Sequence, residues 1–335
     1  MFKDKDSIVV FVLYIVLSVS QGLLVTATKN ANGGYSFNFT TVVLIMEICK
    51  LLVSIIAFLM HNSILSLQRE VFKNIKFALL YVFPAALYCL YNNLQFVNLA
   101  NFDPTTYHIL LQSRIVVTGF IYQIFFAVNL NIKQWISLII LTLGCIIKQI
   151  DLLNIQQLST STSNISYAIL LVLAQVTCSS IASVYIELLI KSKDKQVNIW
   201  LQNIFMYTVS IFCNLIVLCF SGSLSDIISL DSITSIFQIP VLLIIANWVG
   251  LGLITSFFLK NLNSILKTFA SGLDLVFIAI LSSFFFSIPI TGFTVLSILV
   301  ISLAFWMYSK NPITRKETAV VAEKLNSVKN GVIDS

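Results

Sequence analysis

The sequence predicts an all-α polytopic membrane protein of ten transmembrane helices in two five-helix halves. Three observations carry that prediction. The 335 residues are 58% hydrophobic and only 10% charged, with mean hydropathy +0.95, whereas soluble domains carry about 25% charged residues. The apolar residues gather in runs near the length of about 20 residues that crosses the hydrocarbon core. Lysine and arginine collect in alternate loops, as a fixed orientation in a membrane requires. A transmembrane barrel fits poorly, because its strands would alternate over about ten residues, and 26 Phe against 11 Gly suit helices.

The first span, Ile8–Ala27, is longer than a signal-peptide core and no persuasive cleavage site follows it, so it is expected to stay as a helix. The second, Phe39–Met60, carries Glu47 and Lys50 three residues apart on one face. That spacing fits either an internal ion pair that makes insertion tolerable or a gate whose charge changes during work. The third, Lys76–Leu99, holds Asn92-Asn93, suited to bonding a neighbouring helix or a ligand. The fourth, Pro104–Val128, opens on Asp103-Pro104, a cap followed by a first-turn proline, and places Tyr107 and Arg114 seven apart on nearly one face. The fifth, Lys133–Lys148, is short.

The sixth and seventh spans are Tyr167–Ile190 and Ile199–Phe220, the latter presenting Asn203 and Tyr207 at i,i+4. In the eighth, Ile236–Leu259, Gly250 and Gly252 suit close helix packing. The ninth, Ser264–Phe286, lines up Lys267, Ser271 and Asp274 on one stripe. Only Ser287–Pro289 separates it from the tenth, Ile290–Tyr308. The segment from Asn311 to Ser335 is polar and charged, a tail expected to be disordered.

With both termini in the cytosol, Lys3, Lys5, Arg69, Lys73, Lys76, Lys133, Lys191, Lys193, Lys195, Lys260, Lys310 and the tail cations share that side. Only Lys29 and Lys148 fall on the other, and Lys50, Arg114 and Lys267 lie inside spans. The sequons Asn38-Phe39-Thr40 and Asn164-Ile165-Ser166 fall on the non-cytosolic side. The net charge of +6 is therefore topological and points to no nucleic acid. The six cysteines lie within spans without metal-ligand spacing, and read as small packing residues. No metal or other cofactor is expected. His61 sits at a helix end, and His108 has no evident nucleophile beside it, so an enzyme is not expected and no catalytic residue is assigned.

Arg114 in the fourth span and Lys267 in the ninth occupy equivalent positions of the two halves. A cation at bilayer depth costs about 2.5–3.5 kcal/mol on insertion scales, and usually faces a cavity, a partner or a substrate. Two of them suggest a site for a polyanion, with Asp274 or Glu47 as standing counter-charge.

At these residues the chain resembles the nucleotide-sugar transporters, specifically the group for CMP-sialic acid, UDP-galactose and UDP-N-acetylglucosamine. The resemblance runs from Glu47 to Tyr308. It rests on Glu47-x-x-Lys50, Tyr91-Asn92-Asn93, Asn101-Phe102-Asp103 through Tyr107 to Gln112-Ser113-Arg114-Ile115, and Gln134-Trp135. Val184-Tyr185-x-Glu187 with Lys191, Trp200-Leu201-Gln202-Asn203 through Met206-Tyr207, and Lys260 through Asn263 to Lys267 complete it. It implies the drug/metabolite-transporter fold, ten helices in two inverted five-helix repeats at about 8–150 and 166–309. It implies exchange of a nucleotide sugar for the nucleoside monophosphate across the Golgi membrane, or that of the endoplasmic reticulum. Arg114 and Lys267 would meet the phosphates, while Tyr107, Asn92, Asn203 and Tyr207 would line the nucleotide pocket. Glu47, Lys50, Ser271 and Asp274 would support or gate it.

Departures surround that pocket: Arg114 stands for the usual lysine, His108 for a glutamine, Leu111 for a tyrosine, Phe205 for a glutamine and Asn263 for an aspartate, while Asp274 is extra. The alternatives are a carrier of another phosphorylated metabolite or nucleoside, and a membrane scaffold that keeps the fold without transport. A homo-oligomer is compatible with either.

Overall fold

A computed structural model describes residues 4–28, 39–102, 104–150, 165–191, 197–221, 234, 236–286 and 290–313. Among them it holds ten stretches long and apolar enough to cross a membrane. The expected tail beyond Ile313, both sequon asparagines, Lys29 and the Asp103 cap lie outside the described residues. The elements are α1 (Lys5–Ala27), α2 (Phe39–Leu59), α3 (Ile64–Lys73), α4 (Ile75–Leu79), α5 (Val82–Asn101), α6 (Pro104–Leu111) and α7 (Arg114–Phe126). They continue with α8 (Ile132–Ile150), α9 (Ile165–Lys191), α10 (Ile199–Ser221), α11 (Ile239–Asn261), α12 (Ser264–Phe286) and α13 (Gly292–Lys310).

Two spans are not the single rods the hydropathy predicts. The third is α4 and α5, parted at Leu80–Tyr81, and the fourth is α6 and α7, parted at Gln112–Ser113. Hydropathy averages over a window and does not register a one-turn interruption. The second break is tightened by i→i−3 bonds, from Gln112 N to Ile109 O, Ser113 N to Leu110 O and Ile115 N to Gln112 O, each 3.1 Å. Such short 3₁₀ stretches often mark functional positions. The short α3 is amphipathic. Ile64, Leu65 and Phe72 are exposed on it, with Arg69 at the border of that apolar stripe and Lys73 opposite Ile64, a pattern that suits a helix lying in the plane of the membrane surface.

The chain forms two compact units. One comprises Met1–Ile8, Leu90–Gln196 and Leu259–Ser335, and so contains α6 to α9, α12 and α13. Its closest helix pair is α8 with α13. Gly144 permits that approach, since a Cβ there would meet Ile301 Cγ1 at 2.7 Å and the Ile301 backbone nitrogen at 3.2 Å. Ser297 Oγ donates to the Gly144 carbonyl at 2.9 Å, and Gln134 Nε2 donates to Asn311 O at 2.9 Å. In a membrane, where lipid competes equally for apolar side chains, small residues and interhelical hydrogen bonds do the joining.

The second unit comprises Val9–Cys89 and Val197–Phe258. Its closest pair is α2 with α10. Val42, Met46, Val241, Ile244, Ile245 and Val249 form its core, flanked by Leu24 and Trp248. Tyr81 Oη donates to Gln202 Oε1 at 2.6 Å, and Asn247 Nδ2 to Leu17 O at 2.9 Å and Gln21 Oε1 at 2.8 Å. Large apolar side chains stay outside in both units, among them Ile56, Phe212, Ile124 and Phe284. That outer surface suits lipid, not water.

Candidate functional site

In the first unit the break in the fourth span places Arg114 as the first residue of α7. Ser113, at the cap position, makes no cap bond and turns its hydroxyl back to Leu110 O at 2.7 Å. The exposed Arg114 side chain therefore leaves from a tightened turn in which Ser113 itself stays helical, at φ −56° and ψ −20°, and the Ser113 and Ile115 amides are held by Leu110 O and Gln112 O. Arg114 lies within electrostatic reach of Lys267, on α12, and of Tyr107, on α6. Lys267 is half-buried. The two cations expected from sequence are thus brought together.

The carboxylate that acts on Lys267 is that of Glu187, on α9. Glu187 is fully enclosed. It accepts from Lys191 Nζ at 2.6 Å and from both the backbone N and Oγ of Ser264, each at 2.6 Å. Asn263 Oδ1 accepts from Leu266 N at 2.7 Å. Two of the four orphan amides that begin α12 are satisfied in this way. Lys191 also donates to Leu262 O, tying the α11–α12 turn to the end of α9. Asp274 is buried two turns beyond Lys267, and Ser271 Oγ is spent on the Lys267 carbonyl at 3.2 Å.

Gln175, absent from the sequence-derived set, organises the other side of this unit. It accepts from Asn98 Nδ2 at 2.7 Å, donates to Tyr107 Oη at 2.8 Å, and reaches Tyr91 O at 3.2 Å. Tyr107 is buried with its hydroxyl occupied, whereas Asn92 is exposed. A lone amide in the apolar run of α9 was the available signal for Gln175. The i,i+4 spacing of Glu187 and Lys191 was the signal for the second ion pair.

In the second unit Lys50 Nζ donates to Glu47 Oε1 at 2.8 Å, both side chains being buried. The ammonium also lies over the Tyr207 ring, 5.5 Å from its centroid. Tyr207 bonds Ser256 on α11. Asn203 is buried four residues earlier, and its Nδ2 finds no partner among the described residues. Gly250 faces Leu17 at ordinary contact distance, as helix packing predicts, but Gly252 faces the Lys50 side chain. No group of three or more His, Cys, Asp or Glu able to hold a metal ion occurs among the described residues.

The family model for nucleotide-sugar transporters matches residues 4–309. The chain belongs to the nucleotide-sugar transporter family. It is 45% identical to the UDP-galactose transporter senju of Drosophila melanogaster, over 93% of this chain and 88% of that protein. Identity is 29% to a probable UDP-sugar transporter protein, SLC35A4, of Xenopus tropicalis, covering 88% of this chain and 91% of that protein. It is 26% to CMP-sialic acid transporter 1 of Oryza sativa subsp. indica, covering 88% and 92%. A solved crystal structure superposes with a TM-score of 0.61 at 13% identity, over 94% of this chain and 99% of that one. The ten-helix membrane fold and nucleotide-sugar transport follow from this membership.

Proposed function

We propose that this transporter carries a pyrimidine nucleotide sugar, UDP-galactose first among candidates, into the Golgi lumen in exchange for UMP. The 45% identical relative named for UDP-galactose favours that substrate. The reading is carried by Arg114 at the broken fourth span, within electrostatic reach of Lys267. Glu187 is shared with Lys191, so the Arg114 and Lys267 pair keeps an excess of positive charge for a ligand. The diphosphate of a UDP-sugar carries two negative charges, and a phosphomonoester carries about −1.5 to −2 at neutral pH. Either occupant neutralises the pair.

An empty carrier keeps the excess charge, offset in part by the Asp274 carboxylate, and reorients poorly across hydrocarbon. Exchange follows. Asn92, Tyr107, Asn203 and Tyr207 serve the nucleoside, with the buried Asn203 amide as a donor to a base carbonyl. Tyr107 acts through its Gln175-fixed position. Residues 1–310 form the transporter domain and 311–335 a cytosolic tail, with both termini cytosolic. The pairing of α2 with α10 and of α8 with α13 supports inverted repeats near 8–150 and 166–309. These pairs join the second span to the seventh and the fifth to the tenth, the positions that such a repeat equates.

The test is uptake of labelled UDP-galactose by proteoliposomes preloaded with UMP, CMP or nothing. UMP should stimulate uptake and CMP should not. Stimulation by CMP alone, with uptake of CMP-sialic acid, would reassign the base. No uptake by protein that also fails to bind either monophosphate would overturn the proposal.

A further inference from the structure

We propose that Gly252 is a positioning residue: its missing side chain sets where the Lys50 ammonium rests between Glu47 and the Tyr207 ring. The inference deepens the transport reading, in which these residues support and line the nucleotide site. A Cβ built on Gly252 would stand 2.5 Å from Lys50 Cε, 3.0 Å from Cδ and 3.1 Å from Nζ. No carbon tolerates the first of these distances. The Lys50 stem must therefore leave whenever residue 252 carries a side chain. The atoms in the way belong to the end of a flexible chain, so the helix itself need not move.

What moves is the charge. The ammonium lies 2.8 Å from Glu47 Oε1 and 5.5 Å from the Tyr207 centroid, and Lys50 is buried along with both partners. Displacement breaks a charge-assisted hydrogen bond and removes the cation from the ring face. Tyr207 loses the cation over its ring and keeps Ser256, while Glu47 is left as a buried carboxylate without its partner. Gly250, two residues earlier, supplies a built-in control. A Cβ there meets Leu17 Cδ1 at 3.5 Å, an ordinary contact.

The experiment is a mutant cycle in the full-length protein. Gly252→Ala and Gly250→Ala are each made in the native background and in a Glu47→Gln/Lys50→Ala background, which lacks the displaced charge and its partner. Melting temperature is measured in detergent without ligand, and the KM and maximal rate for UDP-galactose exchange are measured in proteoliposomes. In the native background Gly252→Ala should lower the melting temperature and raise KM about tenfold or more, the worth of one charge-assisted hydrogen bond. Gly250→Ala should do neither. In the altered background the melting temperature should be indifferent to Gly252→Ala.

Equal destabilisation by Gly252→Ala in both backgrounds would overturn the proposal, because the glycine would then serve helix packing alone. So would an unchanged KM in the native background. If Gly252→Ala does not fold, recovery of folding in the altered background supports the coupling and continued misfolding refutes it. A native protein that melts at the same temperature with and without UMP would count against the nucleotide reading, while the melting-temperature cycle would still decide the role of Gly252.

Discussion

Lys50 and Lys267 both lie within apolar spans, yet their charges are met in different ways. Lys50 has its carboxylate one turn away on the same helix and an aromatic face against its ammonium. The group is close to neutral by itself, and hydrophobic sequence on either side can insert without further help. Lys267 has a second cation, Arg114, as neighbour, and its compensation comes from Glu187 on another helix. Glu187 is in turn shared with Lys191 and the start of α12. A charge settled within one helix suits a supporting role. A charge settled only after two helices have come together, and then incompletely, suits a group that awaits an anion.

The largest effect should come from the shared carboxylate. Glu187→Gln leaves Lys191 without its partner and weakens the first turn of α12. Removing one member of a buried pair costs about 3–5 kcal/mol, so loss of expression or a marked fall in melting temperature is expected. A near-native melting curve would show that Lys267 is compensated elsewhere. Next, Arg114→Ala or Lys267→Ala should reduce UMP-stimulated uptake at least about thirtyfold, the effect of about 2 kcal/mol or more of lost charge contact. Arg114→Lys should retain much of the activity, since the charge is kept and only the fork geometry is lost. If Lys50→Ala proved as damaging to transport as Lys267→Ala in equally folded protein, the two lysines would not differ in role.

Gln175→Leu should cost about 1–3 kcal/mol, because the Asn98 and Tyr107 polar groups lose buried partners. Its KM should rise more than that of Asn92→Ala if a fixed Tyr107 matters to the nucleoside. The smallest effect belongs to Ala127, which ends α7 at φ 47°. Ala127→Gly relieves left-handed strain and should stabilise by about 1 kcal/mol, read as a small rise in melting temperature.

The ten spans were legible because a membrane imposes a length on every helix that crosses it, and an apolar run of that length has few other uses. Arg114 and Lys267 stand out in the sequence for the complementary reason, that charge is rare and costly inside an apolar span. Gln175 was less so. Its role depends on Asn98 and Tyr107 arriving from other helices, and no periodicity within α9 announces them. From sequence Gly252 is indistinguishable from the packing glycine Gly250, because nothing there reveals that Lys50, some two hundred positions away, occupies the space. The interruption at Gln112–Ser113 left only two adjacent polar residues as its trace.

That interruption also fixes a depth. At about 1.5 Å per residue, the eight residues of α6 and thirteen of α7 give rods of about 12 and about 20 Å. Neither reaches across a hydrocarbon layer of about 30 Å. In a bilayer of that thickness Arg114 and the start of α7 would therefore sit inside the membrane, where unbonded peptide groups facing lipid would be prohibitively unfavourable. The bonds from Ser113 N to Leu110 O and from Ile115 N to Gln112 O, each 3.1 Å, meet part of that requirement within the turn. An anion held by Arg114 would therefore have its charge met part-way across the bilayer, and the layer it must cross unneutralised would be thinner than the hydrocarbon itself.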